Sequence, residues 1–162
     1  TGFNHGRDSY TDGGGGNHRG SIFRLLIGDA LRRRDPSMGV ASWDVGNDPG
    51  KAAAQLVLDR ADVLAMEKPL EARVCKTIGA MPFLWLAVDD FPGPDSDRGV
   101  IERNAIALLS SAEAGVLDPA SDAWLGHHSS RDRVRRSGLW NNNHVGERYD
   151  PDFLETLARY VV

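Results

Sequence analysis

The run Met81-Pro82-Phe83-Leu84-Trp85-Leu86-Ala87-Val88 constrains this chain more than any other segment. It is short for a helix, carries Phe and Trp, and is closed by Asp89-Asp90 and the turn residues Pro92, Gly93 and Pro94. Such a run reads as a strand buried on both faces. A buried strand needs neighbours to take its backbone hydrogen bonds, and 162 residues are enough for one domain with a real core. The predicted fold class is therefore α/β (α+β), a small mixed or antiparallel sheet covered by helices.

The covering helices are legible from periodicity. Ser21 to Arg34 places Ile22, Phe23, Leu26, Ile27 and Ala30 on one broad face, with Ser21 as cap and Asp35-Pro36 as stop. Lys51 to Met66 has apolar residues at helical spacing, and Pro69 suits the first turn of a further helix ending at Gly79. Trp43 and Val45 suit a short strand between turns. Asp97 is expected to cap a helix from Arg98 to Ser111. A short basic helix ends at Gly138, and Asp150-Pro151 opens a terminal helix with Phe153, Leu154, Leu157, Ala158 and Val161 inward. Residues 1–20, with Gly13-Gly14-Gly15-Gly16, form a flexible lead-in. Residues 21–162 form a single domain with a C-terminal extension from about residue 112.

Composition narrows the function classes. A net charge of −4 gives no global sign of nucleic-acid binding, although one basic face remains compatible with it. The one cysteine, Cys75, excludes an internal disulfide or a cysteine-built zinc site and points to a reducing, cytoplasmic setting. No apolar run approaches the roughly 18–20 residues of a membrane helix. Thr1 is not an initiator methionine, so the chain is expected to be a processed protein or a part of something longer.

On a helical wheel at about 100° per residue, Leu108, Ile101, Ala105, Leu109 and Ile106 make one apolar arc, and Glu102 falls inside it. A carboxylate facing a core must be paired, protonated or bound to a metal. Three readings stay open: an ion pair with Arg98 one turn earlier, a helix-edge position reaching water, or a metal ligand.

The stretch from Phe83 to Val88, a turn, and Ile101-Glu102-Arg103-Asn104-Ala105-Ile106-Ala107-Leu108-Leu109 resembles the closing strand and helix of GIY-YIG nucleases, through a shared Glu-x-Asn-x-Ile pattern. The segments Asn17 to Arg24 and Gly138 to Pro151 are similar to those of bacterial proteins with a GIY-YIG-like domain. The resemblance implies a metal-dependent DNA endonuclease in which Glu102 holds one divalent cation, Mg²⁺ or Mn²⁺. Asn104 reads as structural. The family's opening strands carry Gly-Ile-Tyr and Tyr-Ile-Gly triplets. No first triplet is present here, and Leu26-Ile27-Gly28 matches the second only superficially, within a helical pattern. Those strands are expected upstream of Thr1, supplied by a partner chain, or replaced. The alternative is a non-catalytic nucleic-acid or protein-interaction module on a degenerate nuclease fold.

Under the nuclease reading, Arg19 and Arg24 are the local arginines for a scissile phosphate, and His18 accepts or relays a proton. Each also has a purely structural reading, and Arg24 falls on the polar side of its helix. Arg131 and Arg135 form the facing pair of a basic helix suited to the DNA backbone. Asn141, Asn142, Asn143 and His144 either read bases or form turns. His127-His128 is a weak zinc candidate, since adjacent side chains diverge on a regular element.

Overall fold

In a computed structural model the residues described are 17–82, 84–110 and 119–161. The expected sheet is not there: among these residues every regular element is a helix, so the α/β assignment is corrected to a helical one. The run that suggested a strand is irregular from Leu84 to Asp89, with Leu84 98% and Trp85 78% exposed. Apolar content alone does not make a strand. The backbone needs a paired neighbour, and no described segment provides one. Trp43 lies in a turn as well, not in a strand.

The described residues fall into two compact units. One comprises the chain up to Pro82 together with Leu125–Ser130, and the other comprises the remainder. No helix among the described residues is long and apolar enough to cross a membrane.

The first unit contains α1 (Ile22–Arg34), α2 (Pro49–Leu56) and α3 (Arg60–Gly79). Ser21 caps α1 by accepting from the Arg24 N–H, and Arg32, Arg33 and Arg34 occupy the negative end of its dipole. Buried Leu26, Ile27, Ala30 and Leu31 form its inner face, whereas Ile22 is exposed. Gly28 lets α1 meet Trp43 closely, because a Cβ there would lie 2.0 Å from the indole Cζ2. The indole N–H donates to the Leu25 carbonyl at 3.2 Å. Asp29 accepts from Arg32, Arg33 and the Ser130 N–H, which ties the Leu125–His128 turn to α1.

Asp48 caps α2, and Val57, in the left-handed region at φ 56°, ends it. One helix, α3, then runs through Pro69, where a helix start was expected. Proline lacks the N–H for one helical bond and costs about 3 kcal/mol inside a helix. Buried Val63 and Glu67 before it, and Leu70, Val74 and Ile78 after it, anchor both halves on one face and outweigh that loss.

The second unit contains α4 (Asp97–Leu109), α5 (Asp132–Ser137) and α6 (Phe153–Ala158). The cap of α4 is Ser96, one residue before the expected Asp97. α4 packs on α6, where Phe153 is 2% exposed but Leu154 and Val161 face solvent, contrary to the amphipathic expectation. The Tyr160 hydroxyl donates to Asp97 at 2.5 Å and fastens the chain beyond α6 to the start of α4. Gly138, with φ 72°, terminates α5 as expected.

Candidate functional site

Among the described residues a dense buried polar constellation lies in the first unit, on the inner face of α3. Glu67, Glu71 and Cys75 follow one another at four-residue spacing, so they share that face with Val63, Leu70 and Val74. Two buried carboxylates on an apolar stripe require cations, and the segment before and within α1 supplies them. Arg19 grips Glu67 with both arms, Nη1 to Oε2 and Nη2 to Oε1, each at 2.6 Å. Its Nη2 also donates to the Ser42 and Val45 carbonyls at 3.1 and 3.2 Å. Arg24 Nη2 donates to Glu71 Oε2 at 2.7 Å and lies 2.9 Å from the Cys75 sulfur.

His18 closes the cluster. Its backbone N–H donates to Glu71 Oε1 at 2.6 Å, and its Nδ1 lies 2.9 Å from the same oxygen. The ring stacks on Trp43, with centroids 3.8 Å apart. A carboxylate only accepts, so the hydrogen-bond pattern places a ring proton on Nδ1. Nε2 is buried and has no hydrogen-bond partner among the described residues. His18 also borders a cavity of about 200 Å³ with Arg19, Asp44 and Asn47.

The electrostatics follow from this packing. Burial would raise the Glu71 carboxyl, but the hydrogen bonds from His18 and Arg24 outweigh it and hold the group below the usual carboxylate range. Burial would lower Arg24, yet its bonds to Glu71 and Cys75 leave its guanidinium more firmly protonated than usual. Asp29 is likewise held low against burial by Ser130, Arg33 and Arg32.

The sequence-nominated residues therefore divide. His18, Arg19 and Arg24 are brought together, but by Glu67 and Glu71, which sequence reasoning did not single out. Arg24 is 1% exposed, which corrects its placement on a polar face. Glu102 lies in the second unit, on α4, and it too departs from the wheel. The buried residues of α4 are Asn104 and Ala107, Leu109 is 53% exposed, and Glu102 is exposed. The apolar arc is not the most buried face, since Ile101, Ala105, Ile106 and Leu108 are only half-buried while Asn104 and Ala107 are buried. Arg98 does not pair with Glu102 but bonds to the Val88 carbonyl at 2.8 Å and lies 3.3 Å from Asp90. Glu102 makes no side-chain hydrogen bond or ion pair among the described residues.

Asn104 is structural, as read from the sequence. Its amide donates to the Val100 carbonyl and its oxygen accepts from the Asp150 N–H, both at 2.8 Å. On α5, Val134 and Ser137 are buried, and Arg133, Arg135 and Arg136 are exposed, as is Arg131 at its cap. Arg133 donates to the Asn142 carbonyl at 3.0 Å, and Arg135 pairs with Asp132 at 3.1 Å. Asn141 accepts from the N–H groups of Asn142 and Asn143, which is turn formation. The glycine run 13–16 lies outside the described residues.

A family model described as the GIY-YIG domain matches residues 4–162. The chain belongs to the GIY-YIG domain family. The match covers nearly the whole chain, including the segments at His18 and Glu102 on which the sequence resemblance rested. Comparisons with curated proteins and with solved structures returned no match. Among the described residues of this GIY-YIG chain, no three His, Cys, Asp or Glu side chains are grouped to hold a metal ion. A cage built wholly from protein ligands, as zinc or calcium prefers, is thus not formed by those residues. A hydrated Mg²⁺ asks for less, since one or two carboxylates suffice while water and substrate oxygens complete its shell. The exposed Glu102 carboxylate fits that requirement.

Proposed function

We propose that this chain is a divalent-metal-dependent DNA endonuclease of GIY-YIG type, with Glu102 as the ligand for Mg²⁺ or Mn²⁺. The carrying observation is an exposed Glu102 on α4, without a side-chain partner among the described residues, in a chain matched by the family over residues 4–162. A bound divalent ion would neutralise charge developing on the phosphate and aid departure of the leaving oxygen. The carboxylate needs no rearrangement to reach an ion, because no ion pair among the described residues has to break first. The exposed Arg131, at the cap of α5, and Arg135, within it, would meet DNA phosphates and supply affinity without sequence choice. The test is nicking of supercoiled plasmid in Mg²⁺ by the wild type and by Glu102→Gln. Metal-dependent nicking lost in the variant supports the reading, and equal nicking in both rejects it.

A second reading is favoured by a different observation. His18, Arg19 and Arg24 are already engaged by Glu67 and Glu71, so Arg19 and Arg24 would have to leave buried carboxylates before gripping a phosphate. That cost suits a non-catalytic nucleic-acid or protein-interaction module, in which the cluster serves only to hold its unit together. This reading predicts DNA binding without metal that weakens steeply with salt, and no nicking. Nicking that disappears with Glu102→Gln in a folded protein decides against it.

A further inference from the structure

We propose that the cleft between the Pro36–Met38 turn and α3 binds a small aromatic monocarboxylate, held at its rim by Arg73. The cleft has a volume of about 510 Å³, within the usual range for small-molecule sites. Met38, Val40, Met66, Pro69 and Leu70 give it apolar walls, and Ser37 and Arg73 contribute the polar edge. None of these residues belongs to the nuclease reading, so the two proposals stand or fall separately.

Charge selects the ligand. Arg19, Arg24, Arg32, Arg33 and Arg98 each meet a carboxylate. The exposed Arg73 guanidinium makes no hydrogen bond or ion pair among the described residues. Its planar fork matches a carboxylate at two points. Asp35 limits the charge the cleft accepts. The Ser37 hydroxyl and N–H hold its carboxyl below the ordinary range, with Arg34 and Arg73 adding to the effect, so it stays ionised at neutral pH. The Asp35 charge repels any anion at Arg73 and repels a dianion twice as strongly, so a single negative charge, offset by the guanidinium, is favoured over two. The walls select the body of the ligand. Two methionines adapt to a flat ring and make favourable sulfur–aromatic contacts, and Pro69 and Leu70 add rigid apolar surface.

The three methionines of the chain are Met38, Met66 and Met81, and only the first two line the cleft. Methionine-methyl NMR on the full chain therefore reports occupancy with an internal reference. The probe is 2-naphthoate, with uncharged 2-naphthamide as its control. The expected result is saturable shifting of the Met38 and Met66 methyls by the carboxylate and little change at Met81. The amide is expected to bind at least tenfold more weakly, and so is the carboxylate to Arg73→Gln, because each loses the charge-assisted hydrogen bonds of the pair. Arg73 is exposed, so the variant keeps its fold, which its unperturbed Met81 resonance verifies. No shift up to millimolar probe overturns the proposal. So do equal shifts at all three methyls, equal affinity for acid and amide, or undiminished binding by Arg73→Gln.

Discussion

Replacing Glu71 by Gln removes one charge from the interior while nearly preserving shape. The carboxylate accepts from the His18 N–H and from Arg24, and it faces His18 Nδ1, all within 2.9 Å. It is 4% exposed and Arg24 is 1% exposed. An amide in its place turns one acceptor into a donor that must face either His18 or Arg24, and it leaves the Arg24 charge without its counter-ion. Breaking a buried pair in this way typically costs about 3–5 kcal/mol, and one lost hydrogen bond to a charged group about 1.5–3 kcal/mol. The larger range applies because the orphaned guanidinium has almost no access to water. Urea unfolding followed by far-UV circular dichroism should therefore give Glu71→Gln a loss of about 3–5 kcal/mol with an unchanged slope. The double variant Glu71→Leu/Arg24→Met removes both charges and should recover part of that loss. Glu102→Gln, at an exposed carboxylate, should stay within about 0.5 kcal/mol of the wild type. A loss below about 1 kcal/mol for Glu71→Gln would refute the claim that the cluster anchors its unit.

Glu71 has an ordinary carboxyl pKa of 4.5 and Asp29 one of 3.8, and both are lowered in the folded chain. Their stabilisation is thus fully present above those values and is lost as pH falls through the lower folded ones, so a urea midpoint measured from pH 7 downward should hold until about pH 5 and then decline. Gly28→Ala drives a methyl into the Trp43 ring and should lower stability by about 1–3 kcal/mol, read by thermal unfolding with Gly20→Ala, which meets only an ordinary contact, as control. If α5 meets DNA, Arg131→Gln and Arg135→Gln should each reduce the salt slope of binding by about 0.9, measured by fluorescence anisotropy.

The ends of α1, the stop at Gly138 and the structural role of Asn104 were legible in the sequence, because caps, left-handed glycines and short-range hydrogen bonds are set locally. Expectation and structure part where tertiary context decides. The Met81–Val88 run has strand composition, but strand formation depends on a partner that composition does not reveal. The rule that a carboxylate on a buried apolar face must find a cation applies to α3, whereas Glu102 on α4 is exposed. Glu67 and Glu71 share a stripe with Val63, Leu70, Val74 and Ile78, and the same wheel applied to α3 would have found them. Splitting that helix at Pro69 hid the stripe. On α4 the wheel took the most apolar arc as the inner face, whereas the small Ala107 and the doubly bonded Asn104 are the residues that are buried. Which cation meets which carboxylate was not legible at all, since the partners lie 47 to 53 residues apart.

The claim that Glu102 holds the divalent ion is tested most directly by titrating Mn²⁺ into the intact chain and following the loss of free-ion signal by electron paramagnetic resonance. The expected result is one weak site that Mg²⁺ displaces, that weakens at least tenfold in Glu102→Gln, and that is unchanged in Glu155→Gln, a comparably exposed carboxylate on α6. Equal Mn²⁺ binding by the wild type and Glu102→Gln, or no binding by either, would contradict it.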